Sequence, residues 1–489
     1  MNSRDWLREA ARLYGPRVFL EQGVWRWTFA EWDRRVDRVA GTLAAAGVVA
    51  GSRVASLLSG GYQAAEVVFA ALRLGAVLVP MNTRLGPEEL AYQWQDADPS
   101  AVVVSEELAH LLPAAAGPRL GVALGAPEDD ALLGPAWRGV AGAAPTGVQS
   151  IIYTSGTTGR PKGALLTVTQ LGWNAWGSML RLGHLPDDVW LCCLPLFHVG
   201  GQAILFRAVL AGTAVRLEPR FEAQTAAAAL ADGSVTLASL VPTMLRRILD
   251  VHAGAFAPRL RAVLIGGGAA PKTLMAEGRR RGLPLVATYG MTETASQMAT
   301  QDLRLDGEDA GARPLYGFEL RIAEPGADGS GEIWVRGPGV SPGYWRRPEE
   351  TAARFDADGW FATGDIGRLD SQGRVQVLDR RQDLIVSGGE NVYPAEVEAA
   401  LTAIGGVRAA AVVGVPDPEW GAVPAAAVVP QDGVRLDPEA LTRALRRRLA
   451  AYKVPREWAL VNELPLTANG KVRRQAVQAW FASRRERPR

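Results

Sequence analysis

Along the first two-thirds of the chain, apolar residues fall into short runs separated by turn formers. Residues 53–58 read as a strand, Tyr62–Leu74 as an apolar-rich helix and 76–79 as a second strand closed by Pro80. Similar runs recur at 101–104, 148–153, 236–240 and 262–265, with helix-length segments between many of them. Strands that alternate with helices predict α/β layers on largely parallel sheets. A stretch rich in Ala, Gly and Pro, 111–146, breaks this rhythm and is expected to be a loosely structured connection. No repeat at a fixed period occurs.

Past Arg380 the texture changes. Pro394 opens a helix that places Val397, Leu401 and Ile404 on one face, and 409–415 and 422–429 read as strands. Asp437-Pro438 suits the cap and first position of a further helix, whose buried stripe is Leu441, Leu445 and Leu449. A second, smaller α/β domain therefore begins here. Arg446, Arg447 and Arg448 surround that stripe and read as a solvated face, with a contact to coenzyme phosphates as the alternative.

Composition narrows the function. A chain of 489 residues, 48% hydrophobic and 21% charged, is too long for one core and predicts two or three domains. Its 53 basic residues nearly cancel its 51 acidic ones, so no global field points to nucleic acid or an anionic membrane. An anion site must be local. The adjacent Cys192 and Cys193 cannot build a disulfide framework, and the histidines are few and dispersed, which predicts a reducing compartment and no structural zinc. The N-terminal residues lack a signal-peptide hydrophobic region and no apolar run is long enough to span a bilayer, so a cytoplasmic location without membrane insertion is expected.

The densest chemistry is Thr154-Ser155-Gly156-Thr157-Thr158-Gly159-Arg160-Pro161-Lys162-Gly163. Its glycines let the backbone approach an anion, its hydroxyls can donate to phosphate oxygens, and Lys162 neutralises charge. It follows an apolar strand, as a polyphosphate loop should. It is not a Walker A loop, because Lys162 stands between Pro161 and Gly163.

At this loop the sequence resembles the adenylate-forming superfamily of acyl-CoA synthetases, luciferases and peptide-synthetase adenylation domains. Further motifs follow in the superfamily's order: Leu194-Pro195-Leu196-Phe197-His198, Tyr289-Gly290-Met291-Thr292-Glu293, Thr363-Gly364-Asp365, the segment 383–396 and the segment 465–471. The resemblance implies the adenylate-forming fold: a large N-terminal layered α/β domain, 1–379, a hinge at 380–382 and a smaller mobile C-terminal α+β domain, 383–489. It also implies ATP, Mg2+ and the co-substrate CoA, with a carboxylic acid as the other small-molecule partner. The residues do not specify an oligomeric state, and a homodimer is only a guess.

Roles follow from the matched motifs. Tyr289 is expected to stack on adenine, with the turn Gly266-Gly267-Gly268-Ala269-Ala270-Pro271 on the other face and Gly290, Met291 and Thr292 beside the nucleotide. Asp365 and Arg380 resemble the ribose-binding pair, and Glu293 the magnesium-holding carboxylate. Lys471 resembles the lysine that bridges the acid's carboxylate and the α-phosphate during adenylation, where two anions must meet. His198 resembles the residue that orients the acid, and Thr292 is also placed among the catalytic residues. Gly388 and Gly389 resemble the segment lining a pantetheine tunnel. In isolation each of these has an ordinary structural reading: a turn, a solvated carboxylate, a buried histidine. Two positions depart from the pattern. Asp379 rather than glycine precedes Arg380, and Gln382 stands where the hinge commonly has Asp or Lys.

For the acid, Thr292-Glu293-Thr294-Ala295-Ser296-Gln297 and Leu240-Val241-Pro242-Thr243-Met244-Leu245 resemble most closely the o-succinylbenzoate–CoA ligases of menaquinone biosynthesis. Ser296 and Gln297 are candidates to bond a polar aromatic dicarboxylate, or only to support their turn. Gly200 and Gly201 suggest instead a tunnel for a fatty acid, which makes a medium-chain acyl-CoA synthetase the enzymatic alternative. A carrier protein in place of CoA, or a non-catalytic nucleotide or acyl-CoA sensor, are the readings of other kinds.

Overall fold

A computed structural model describes residues 5–113, 119–122, 132–137, 139, 147–154, 161–268, 270, 272–302, 310–379, 384–431, 433–465 and 472–485. The chain forms two units, one of residues 1–83, 96–152 and 163–378 and the other of 84–95, 153–162 and 379–489.

The first unit holds a nine-stranded sheet. Leu285–Met291, Ala262–Ile265, Leu237–Leu240, Val189–Cys192, Ala214–Leu217 and Val18–Gln22 lie side by side and parallel. Antiparallel strands flank them: Ser296–Thr300 and Arg313–Pro314 at one end, Trp25–Thr28 at the other. Leu237–Leu240 and Ala262–Ile265 are buried at every position, Ser239 included, as strands covered on both faces must be.

A second sheet runs in the order Arg119–Val122, Ala101–Ser105, Arg53–Leu57, Val77–Pro80, Val148–Thr154 and Lys162–Thr167. Arg119–Val122 corrects the expectation for 111–146, since this short run pairs parallel with Ala101–Ser105. Four residues between glycine and proline carry too little periodicity to declare a strand, and the ladder of the neighbour supplies the rest. Most of 111–146 lies outside the described residues.

Helix Tyr62–Leu74 is buried along nearly its whole length, so its apolar residues need no single face. It stops at Gly75, whose φ of 69° closes the last turn with bonds to the Ala71 and Leu72 carbonyls. Its one guanidinium, Arg73, is fully buried and neutralised by Asp5, Asp33 and Asp37. An antiparallel sheet of Glu319–Ala323, Gly331–Arg336, Phe361–Leu369 and Val375–Asp379 completes this unit.

In the second unit, Glu390–Val392, Ile385–Ser387, Gly421–Pro430 and Val407–Asp417 form a sheet, and Glu457–Leu460 adds to Gly421–Pro430 in parallel. Val397, Leu401, Leu441 and Leu445 pack into its core from the helices Pro394–Thr402 and Pro438–Arg446. Asp437 caps the latter through the Glu439 and Ala440 amides, as its sequence predicts. Arg446 and Arg447 are exposed. Lys453 is buried between Glu89 and Glu396, 2.8 Å from Glu396 Oε1, and ties the segment 84–95 into this unit. No described helix is long and apolar enough to cross a membrane.

Candidate active site

Parallel strands end at a common edge, and here that edge gathers the motifs. Val189–Cys192 leads to His198, Ala262–Ile265 to Gly268 and Ala270, and Leu285–Met291 ends on Tyr289, Gly290 and Met291, followed by Thr292. Ligands of open α/β sheets bind outside this carboxyl edge. His198 is the residue preceding helix Val199–Ala211; it is half-buried, and its ring meets Phe197 edge-on at 4.7 Å. Gly201 is explained by packing rather than by an opening, because a Cβ there would sit 2.5 Å from the Pro195 carbonyl oxygen.

Asp365 reaches Tyr289 through a distortion of its own strand. Glu332 pairs with Ile366 and Trp334 with Ala362, so Thr363-Gly364-Asp365 bulges out of the ladder. Gly364 takes φ 80° and gives its N–H to Glu332 Oε1 at 2.8 Å. Thr363 Oγ1 donates to the Ile333 carbonyl at 2.6 Å and accepts from the Asp365 N–H at 3.1 Å. The carboxylate that results accepts a 2.9 Å hydrogen bond from the Tyr289 hydroxyl, both residues being buried. The two sequence motifs, 76 residues apart, thus form one contact.

Glu293 is also buried, and its Oε1 accepts a 2.7 Å hydrogen bond from the Tyr344 hydroxyl. Just beyond it the backbone is strained: Ala295 and Ser296 have φ of 55° and 109°. Asn174 pins this turn by donating to the Thr294 and Gln297 carbonyls. Gln297 accepts from Thr300 at 3.1 Å, so its side-chain oxygen supports the turn.

Of the described phosphate-loop residues, Thr154, Pro161 and Lys162 lie in the second unit and Gly163 in the first. Thr154 Oγ1 donates to the Lys162 carbonyl at 3.4 Å, and Lys162 is buried. Gly388 and Gly389, with φ of 60° and 87°, form the two-residue turn between Ile385–Ser387 and Glu390–Val392, a turn that demands positive φ at both positions. A Cβ on Gly388 would also meet the Trp420 ring at 2.5 Å. Ser155, Gly156, Thr157, Thr158, Ala269, Arg380 and Lys471 lie outside the described residues.

A family model for AMP-binding enzymes matches residues 7–345, and one for the C-terminal domain of AMP-binding enzymes matches 396–471. The chain belongs to the AMP-binding enzyme family. Its fold is the α/β adenylate-forming one, with a large N-terminal and a small C-terminal domain. Among members of the family, the 2-succinylbenzoate–CoA ligase of Geobacillus kaustophilus is 40% identical over 482 residues, covering 97% of each chain. The o-succinylbenzoate CoA synthetase of Bacillus subtilis, solved as a double mutant bound with its product analogue OSB-NCoA, superposes with a TM-score of 0.88 at 34% identity, covering 97% of this chain and 98% of that one. The same enzyme in complex with the acyl-adenylate intermediate OSB-AMP gives 0.70 at the same identity and coverage.

One residue of this AMP-binding enzyme escaped the motif reading. Arg207, on helix Val199–Ala211, is fully buried; its partners are the Ala203 carbonyl at 3.0 Å, the Ser178 hydroxyl at 3.1 Å and the face of Trp190 at 4.5 Å. Burial pulls its pKa down to about 10. No motif contains it, and its only signal is an arginine inside an otherwise apolar helical run, 204–211. As for magnesium, no cluster of three His, Cys, Asp or Glu side chains exists among the described residues. A single buried carboxylate, Glu293, still fits the ion, because Mg2+ is commonly held by one or two carboxylates together with substrate phosphates.

Proposed function

We propose that this chain is an AMP-forming acid–CoA ligase that joins o-succinylbenzoate to CoA through an acyl adenylate, a step of menaquinone biosynthesis. Likeness to ligases of that name across 97% of the chain supports the reaction and the acid together. That full-length likeness is the observation that carries the acid. Gly201 is closed by backbone packing, whereas a Cβ on Gly200 would meet only Leu194 Cδ1 at 3.5 Å, so this glycine pair does not decide between the acids.

In this reading the loop 154–163, with Thr154, Ser155, Gly156, Thr157, Thr158 and Lys162, cradles the triphosphate. Tyr289 and the turn 266–271 enclose adenine, and Asp365 and Arg380 hold the ribose. His198 orients the carboxylate while Lys471 neutralises the two anions as carboxylate oxygen attacks the α-phosphorus and pyrophosphate leaves. Magnesium, held by Glu293 and the phosphates, would offset charge on the departing pyrophosphate. The thiol of CoA, guided past Gly388 and Gly389, then attacks the acyl carbonyl and AMP leaves. Rotation about 380–382 is proposed to exchange Lys471 for the Gly388-Gly389 segment between the half-reactions. A reducing cytoplasm suits Cys192 and Cys193, both buried, with desolvation pushing the Cys192 thiol up to about 12.

A panel of acids scored by pyrophosphate release tests the assignment. o-Succinylbenzoate is expected to exceed octanoate in kcat/KM. Octanoate as the better substrate would favour a medium-chain acyl-CoA synthetase. Absence of any acid-dependent pyrophosphate release would favour a sensor.

A further inference from the structure

Glu293 does not stand alone in its loop. The segment 341–345 reaches it twice: the Ser341 N–H donates to the Glu293 carbonyl at 2.7 Å, and the Tyr344 hydroxyl donates to Glu293 Oε1 at 2.7 Å. Both side chains are buried, Tyr344 at 7% exposure and Glu293 at 6%. A phenol donating to a carboxylate in such a low-dielectric setting makes a strong, charge-assisted bond.

The backbone on either side of Tyr344 is fixed. The Leu165 N–H donates to the Gly343 carbonyl at 3.0 Å, the Trp345 N–H to the Gly163 carbonyl at 2.7 Å, and Tyr344 itself bridges antiparallel to Ala164. These contacts register the segment to the strand that follows the phosphate loop in sequence. The Tyr344 N–H donates to Thr351 Oγ1 at 3.0 Å, and Gly343, at φ 135°, leaves no room for a Cβ, which would lie 2.2 Å from Thr351 Cγ2. Trp345 gives its indole N–H to the Asp96 carbonyl at 3.0 Å and has the guanidinium groups of Arg53 and Arg346 over its ring at 5.3 and 5.1 Å. So much restraint around one phenol is more than filling a core position needs.

We infer that Tyr344 is the positioning residue for the magnesium carboxylate: its hydroxyl occupies Glu293 Oε1 and holds the side chain so that Oε2 is the oxygen presented to the metal–nucleotide complex. The inference rests on the proposed magnesium role of Glu293. Outer partners of this kind fix the rotamer of a metal-binding carboxylate, and their removal commonly costs ~10–100-fold in metal affinity or activity.

The test uses Mn2+ as a paramagnetic stand-in, titrated by EPR into the full-length enzyme with an ATP analogue carrying a methylene bridge between the α and β phosphorus atoms. Tyr344→Phe is expected to weaken Mn2+ binding by ~10-fold or more. Binding of AMP without metal should be unchanged, as should thioester formation from supplied acyl adenylate. Glu293→Gln should weaken Mn2+ binding at least as much, and the double variant no further than Glu293→Gln alone, since the phenol acts through that carboxylate. Affinities are compared among protein molecules that still bind AMP, so a lowered melting temperature in Tyr344→Phe does not blur the result. Wild-type Mn2+ affinity in Tyr344→Phe, or additive losses in the double variant, would overturn the positioning role while leaving Glu293 as the magnesium residue. Wild-type affinity in Glu293→Gln would overturn both.

Discussion

Gly290 has no side chain because there is no space for one: a Cβ would lie 1.7 Å from the Ser296 carbonyl oxygen. That oxygen cannot move away cheaply, since Ser296 already sits at φ 109° and Ala295 at 55°, conformations that cost ~1–3 kcal/mol each. Gly290→Ala is therefore expected to push apart the turn that carries Thr292 and Glu293. Calorimetry should record AMP affinity reduced by at least ~10-fold, with stability lowered by ~1–3 kcal/mol as overpacking usually does. Unchanged AMP binding would mean that the turn is not part of the nucleotide site. The sequence displayed Tyr289, Glu293 and Asp365 plainly, because each stands in a motif. It did not display Tyr344, which matters through a hydrogen bond, or Arg207, which is buried with no carboxylate partner among the described residues.

At the scale of elements, the nine-stranded sheet keeps stability and chemistry at opposite edges. Asp188, Thr236 and Arg261 stand just before Val189–Cys192, Leu237–Leu240 and Ala262–Ile265 and meet at the amino edge. Asp188 accepts from Thr236 Oγ1 at 2.7 Å, from Arg261 Nε at 2.8 Å and from the Leu185 N–H at 2.7 Å. Burial pushes its carboxyl up, but these donors outweigh that and hold it below the usual value of 3.8. A lowered carboxyl pKa stabilises the fold at pH above the unfolded value, and the benefit is lost as pH falls through the folded one. Asp188→Asn should thus cost ~2 kcal/mol in urea unfolding at pH 7 and progressively less below pH 3.8, with kcat unaffected. An equal cost at both pH values, or a fall in kcat, would contradict this division. Periodicity revealed strands whose apolar runs are continuous, as at 262–265. It missed Arg119–Val122, where the partner strand and not the local sequence decides the conformation.

For the molecule as a whole, a large N-terminal and a small C-terminal domain were legible in the sequence, and the family models match 7–345 and 396–471. What the linear pattern could not reveal is that 84–95 groups with the C-terminal portion; Lys453, buried between Glu89 and Glu396, links them across more than 350 residues in one of its two contacts. In the proposed reaction the acid is activated as an adenylate before CoA enters. The direct measurement is isotope transfer: the enzyme is supplied with ATP, CoA and o-succinylbenzoate labelled with 18O in its carboxylates, and the products are separated by mass. One 18O atom is expected in AMP per thioester formed and none in pyrophosphate. Label appearing in orthophosphate, or thioester formed with unlabelled AMP, would contradict it.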